Sequence, residues 1–347
     1  MRRLDLACML LSATVFGGSL AAQQKQYVFV ENSRGGDVSI MDDATFTVVG
    51  TIPVGLSPDD IVPSRDGKTL YLTRIIRRPQ GQAAAAGQAL GELVAIDPKA
   101  RTVLWRTNVT GTPNHLMASP DGRYVYVTIV STNHVDVVDI AKRAVVDSVV
   151  VGTGPHDIEI APDGKRGYVG LIRGHGVTAF DATTRKAIKT VDMPQNVRPI
   201  AVTHDERTMY LQMSYVHGFA VLDLESGKTV RTVQIPMPAG RSLPDSMPNT
   251  ANHGLRITPD GKTLLANSSI LNQVTFYSLP DLQVLGAVPV GDDPNWITLT
   301  PDGKHAYVSA RASDEVSVVD IATRKELARI KVGKYPQRMA SVVIAGG

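Results

Sequence analysis

Six aspartates, Asp66, Asp121, Asp163, Asp205, Asp260 and Asp302, recur along the chain in steps of 42 or 55 residues. Four of them sit in a Pro-Asp-Gly turn such as Pro120-Asp121-Gly122. Five residues beyond each stands Tyr71, Tyr126, Tyr168, Tyr210, Leu265 or Tyr307, opening an alternating run rich in β-branched residues. An apolar residue nine further on (Val135, Val177, Phe219, Val274, Val316) and a polar one four beyond that (Asp139, Asp181, Asp223, Ser278, Asp320) complete the repeat. The stretch Ser119–Gly152 shows one copy whole: a turn and three strand-like runs separated by polar loops. A period of this length that holds four short strands is the signature of a propeller blade.

The ends supply a seventh unit. Phe29, Val38 and Asp42 keep the spacing, but no strand precedes them; the missing strand stands at the other end, in Pro336 to Ile344. Pairing the last strand with the first closes the ring and removes the open sheet edges that invite aggregation. The expected fold is all-β: a seven-bladed β-propeller of four antiparallel strands per blade, its ring closed by the C-terminal strand joining the N-terminal blade. It occupies residues 22–347 as a single domain.

Tyr126-Val127-Thr128, Tyr71-Leu72-Thr73 and Tyr307-Val308-Ser309, with Val-x-Val-x-Asp after them, resemble the YVTN family of propeller repeats over residues 27–345. The family's Asn after Tyr-Val-Thr is replaced by Arg74, Ile129, Leu171 and Ala310. The resemblance implies an exported bacterial or archaeal protein. It leaves activity open, because these motifs are turn and packing signals; related propellers serve cofactor-containing oxidoreductases.

Residues 1–21 read as an export signal: Arg2 and Arg3, an apolar stretch from Leu6 to Leu20, and small residues before cleavage near Ala21. This places the mature chain in the periplasm or outside the cell. Cys8, the only cysteine, falls within that segment, which excludes disulfides, thiolate catalysis and thiolate metal ligands from the mature protein. No other apolar run is long enough to cross a membrane. A net charge of +3 with no basic block gives no basis for nucleic-acid binding.

In a four-stranded meander the Pro-Asp-Gly turns share one face, here the bottom, and the links between blades share the other, the top. Two insertions of 13 residues, within Ile75–Glu92 and around Pro238–Asn252, fall on the top, as do six of eight histidines. The link residues before each innermost strand are expected to ring the mouth of the central channel. The first such position holds Asp59, Asn114, His156, Arg198, His253, Asn295 and Gln337; the next holds Asp60, His115, Asp157, Pro199, Gly254, Trp296 and Arg338. Convergent polar groups with an aromatic wall are the usual anatomy of a small-molecule site. Arg74 and His217, in neighbouring top loops, join the candidate ligand-binding set. One position further in, Glu159 and Arg256 stand where other blades carry Val62, Met117, Ala201, Thr298 and Ala340; such charges neutralise one another or serve a site.

Three classes of function remain open. The first is binding of a small ligand, with an anion favoured by the arginines, or of an exported protein partner. The second is a metal-dependent hydrolase, lyase or oxidoreductase in which His156 and His253 share a divalent ion and Glu159 serves as base. The third is an interaction scaffold or a subunit of a periplasmic redox complex. No Gly-x-Ser-x-Gly elbow is present.

Overall fold

The computed structural model describes residues 24–76, 90–243 and 251–345. The segment expected to be an export signal and most of both insertions lie outside the described residues. The rest forms seven four-stranded antiparallel sheets. In blades 2 to 7 the strands follow chain order outward from the channel. Blade 1 is composite: Pro336–Ala345 is its innermost strand and pairs antiparallel with Gln24–Asn32, from Gln24 opposite Ala345 to Asn32 opposite Pro336. The closure expected from the two chain ends is therefore present.

The core is seven thin layers rather than one centre. Each lies between two adjacent blades, as where Phe29, Val38 and Ile40 of blade 1 meet Ile61, Leu70 and Val94 of blade 2. The last layer joins Val30 and Met41 of blade 1 to Tyr307 and Val318 of blade 7. Alternation along each strand sends one side chain to each neighbouring layer, which is why the repeat needs apolar residues on both faces of its middle strands.

The repeat's polar marks are turn chemistry. Asp121 Oδ1 accepts from Ser119 Oγ at 2.6 Å and from the Arg123 amide at 3.0 Å, with Gly122 at φ 70°. Thr203–Asp205, Thr258–Asp260 and Thr300–Asp302 repeat the contact. The later aspartates cap the next turn; Asp181 Oδ1 accepts the Thr183 and Thr184 amides.

The third residue of the Tyr-Val-Thr run latches one blade to the next. Thr73 donates to Asn114 O, Thr128 to His156 O at 2.8 Å, and Ser309 to Gln337 O. In blade 4 the position is Gly170, where a Cβ would stand 3.0 Å from Arg198 O. Thr128→Val leaves the His156 carbonyl without its donor; a loss of about 1–3 kcal/mol is expected, measured as a shift of the urea midpoint at unchanged slope.

Candidate functional site

The innermost strands are interrupted at the ring positions. In blade 4, Pro155 pairs with Leu171 and Ile158 with Val169, so His156 and Asp157 fall in a bulge. Blade 3 does the same at Asn114 and His115, and blade 5 at Arg198 and Pro199. Blades 2 and 7 break at Asp59 and Asn295. A bulge re-aims side chains and frees backbone amides; here it turns the ring side chains toward the channel.

The aspartates answer those freed amides. Asp60 accepts the Ile61 amide at 2.8 Å and, across the blade boundary, the Leu116 amide at 3.3 Å. Asp157 accepts the Ile200 amide of blade 5 at 2.8 Å. His115 Nδ1 lies 3.1 Å from both Asp60 Oδ2 and Asp157 Oδ1. Arg338 Nη2 lies 2.8 Å from His115 Nε2, and a guanidinium only donates, so the ring proton of His115 is on Nδ1, between the two carboxylates. Arg338 also donates to Asn295 Oδ1 at 2.7 Å. Burial works against ionisation of Asp60, but His115, Arg338 and the Ile61 amide outweigh it and hold its carboxyl below the ordinary value.

The sequence placed these groups at the channel mouth; the structure buries most of them. His115, His156, His253, Arg198, Asn295, Trp296, Asp60, Asp157 and Arg338 are all below a tenth exposed, while Asp59 and Asn114 are partly buried. The reason is the bulge, which draws the ring into the channel. The rings pack at tilted or edge-on angles: His115 lies 4.5 Å from His156 and 5.4 Å from Trp296, and His253 lies 5.7 Å from His156 and 5.8 Å from Trp296. The guanidinium carbons of Arg256 and Arg338 stand 4.3 and 4.1 Å from the Trp296 ring centre.

Two candidates stand apart from this cluster. Arg74 is spent on Glu92, 2.7 Å away, which also binds Arg106. His217 Nε2 meets Ser268 Oγ at 2.8 Å between blades 5 and 6.

Burial pushes His156 well below the ordinary imidazole value, aided by His115, Arg198 and Arg338. His253 is pushed down likewise, by burial and then by Arg338 and His156. Both rings are neutral at pH 7, and the Nδ1 atom of each has no protein partner. Two residues that sequence reasoning missed adjoin them. Asn267 Oδ1 accepts the His253 and Gly254 amides, and Gln212 donates to Gly254 O at 3.4 Å; Gln212 Oε1 and Asn267 Nδ2 have no protein partner. Glu31, also missed, accepts the Arg338 amide at 3.1 Å. All three occupy the latch position, held by Thr or Ser in three of the other four blades; that departure was the readable signal. Arg198 donates to Ser214 Oγ and is held down to about 10, chiefly by burial, so it remains a cation.

Glu159 and Arg256 approach to 3.6 Å lower in the channel. Among the described residues no three His, Cys, Asp or Glu side chains are placed to hold a metal ion. A metal on His156 and His253 would need ligands beyond this set. No helix of the described residues is long and apolar enough to cross a membrane.

Solved structures similar to the chain share the propeller. A putative 6-phosphogluconolactonase from Bacteroides fragilis superposes with TM-score 0.72 at 18% identity, over 94% of this chain and 99% of that one. The periplasmic gluconolactonase of Pseudomonas aeruginosa gives 0.69 at 19%, over 91% and 99%. Hydrazine synthase of Kuenenia stuttgartiensis gives 0.69 at 20%, over 85% and 92%. At such identity these likenesses show the fold. A comparison with curated proteins finds none similar in sequence. The model of the YNCE-like β-propeller family matches residues 80–248 and 245–345. With most of its blades covered by that match, the chain belongs to the YNCE-like β-propeller family.

Proposed function

We propose that the chain is an exported propeller that binds a small anionic, hydroxyl-bearing ligand at the ring of His156, Arg198, His253 and Gln212. One observation carries this reading: buried polar atoms without a protein partner, His156 Nδ1, His253 Nδ1, Gln212 Oε1 and Arg338 Nε, gather around one channel level. Buried polar groups are costly unless satisfied, and a ligand offering hydroxyls and a negative charge supplies what two neutral imidazoles, an amide and the Arg338 Nε lack. Sugar acids and phosphorylated sugar lactones combine these groups, and two of the similar structures are named for sugar lactones, one of them phosphorylated. The signal-like residues 1–21 and a periplasmic neighbour support export.

The test is a thermal-shift survey of sugar acids and lactones on the parent and on a His156→Ala/His253→Ala double variant. A compound that binds the native state raises the parent's melting temperature with the logarithm of one plus its concentration over Kd. The expected result is a shift in the parent that vanishes in a still-folded double variant. Equal shifts in both proteins would overturn the ring as the site.

A further inference from the structure

Below the ring the channel opens into a cavity of about 500 Å³ that runs from Asp60, Asp157 and Trp296 to Pro63, Pro259 and Pro301 on the Pro-Asp-Gly face. A hollow of about 250 Å³ between blades 4 and 5 meets it at Glu159, His204 and Arg256. The two spaces share the Glu159–Arg256 pair as a wall. Arg256 belongs to the shortest innermost strand, Leu255–Ile257.

The pair is loose. Arg256 Nη1 donates to Leu255 O at 3.2 Å, and its approach to Glu159 Oε1, 3.6 Å, is too long for a hydrogen bond. The guanidinium is oriented by the Trp296 ring, yet most of its five donors are not spent on Glu159. Both side chains are about a quarter exposed, into the cavity. A planar cation fixed on an indole with its fork unsatisfied is a carboxylate receptor. Phosphate would also suit the fork, but Glu159 beside it favours a partner that shares one proton with a carboxyl group.

We propose that this lower cavity is a second ligand site, distinct from the ring, for a small organic carboxylate that docks on Arg256 beside Glu159. Binding takes up one proton: the ionised Glu159 repels the incoming carboxylate, whereas the protonated carboxyl donates to it. No covalent bond changes. The charged and titratable groups facing Glu159 are Asp157 on its own strand, Asp60 from blade 2, His204 from blade 5 and Arg256 from blade 6. Burial raises Glu159 to about 7 against the pull of Arg256, with Asp157 and Asp60 adding to the rise, so the proton is available near neutral pH.

The experiment uses acetate as the probe and Trp296 fluorescence as the readout, in a Trp105→Phe background that removes the other of the two tryptophans. At constant ionic strength the acetate affinity of the parent is expected to fall about tenfold per pH unit above pH 7, as one linked proton requires. Glu159→Gln should bind with no pH dependence, and Arg256→Met should not bind at any pH. The His156→Ala/His253→Ala variant should bind acetate as the parent does, which separates this site from the ring. A parent response that is absent at pH 6, grows with rising pH, or survives Arg256→Met would overturn the proposal. So would loss of the response in the double histidine variant.

Discussion

Arg338→Met is expected to lower the stability of the folded chain by about 3–5 kcal/mol, the range for breaking a buried charged network by removing one partner. Arg338 is 4% exposed. Its guanidinium contacts His115 from blade 3 and Asn295 from blade 7, so it ties blade 1 to its neighbour and, over blade 2, to blade 3. Without it, Asp60 and Asp157 face each other across His115 with no cation behind the ring, and His115 Nε2 and Asn295 Oδ1 lose their donor. Methionine fills similar volume, which isolates the charge and hydrogen-bond terms from a cavity. Arg74→Met provides the contrast. Arg74 is about a fifth exposed and pairs with Glu92 at the blade rim, so about 0–1 kcal/mol is expected. Urea unfolding of the two variants beside the parent decides it. Equal, small shifts for both would show that the ring is not an energetic centre of the fold.

Much of this architecture was legible because a repeat is arithmetic. The spacing from Asp121 to Tyr126, Val135 and Asp139 fixes turn, strand and turn, and the unmatched Phe29 and Pro336 segments fix how the ring closes. Ring membership was legible from the same register. Burial was not: the bulge at His156 and Asp157 is a backbone event that a period of two cannot announce. The roles of Asp60 and Asp157 as acceptors for amides of the next blade depend on that bulge and stayed hidden with it. Glu31, Gln212 and Asn267 were readable in principle, as polar substitutions at the latch held by Thr73, Thr128 and Ser309. Their meaning needed the neighbouring blade, which lies about 40 residues away in sequence.

Glu31→Gln is expected to stabilise the protein increasingly as pH rises, by about 1.4 kcal/mol per pH unit until the folded-state value of Glu31 is reached. Glu31 is fully buried. Burial first, then the field of Asp59, raise its carboxyl well above the ordinary 4.5, against the amide and charge of Arg338; Asp60 adds a smaller rise. The folded chain therefore keeps a proton that the unfolded chain releases above pH 4.5. The stability linked to this group is complete below pH 4.5 and is lost as pH climbs toward the raised value. His156 and His253 act with the opposite sign. Their folded values lie well below 6.5, so their contribution is complete above pH 6.5 and is lost as pH falls. Between 4.5 and 6.5 the two carboxyls, Glu31 and Glu159, and the two imidazoles pull stability in opposite directions. Glu159 titrates at about 7, so its share of the linkage ends near neutrality, and the Glu31→Gln difference isolates the share of Glu31. Glutamine keeps the Oε1 acceptor for the Arg338 amide and cannot ionise, so it mimics the protonated form. Urea midpoints of parent and variant at about pH 5, 7 and 8 give the test. A difference that widens with pH supports a proton held on Glu31 inside the channel, and a constant difference would mean that Glu31 is ionised against Arg338 in the folded protein.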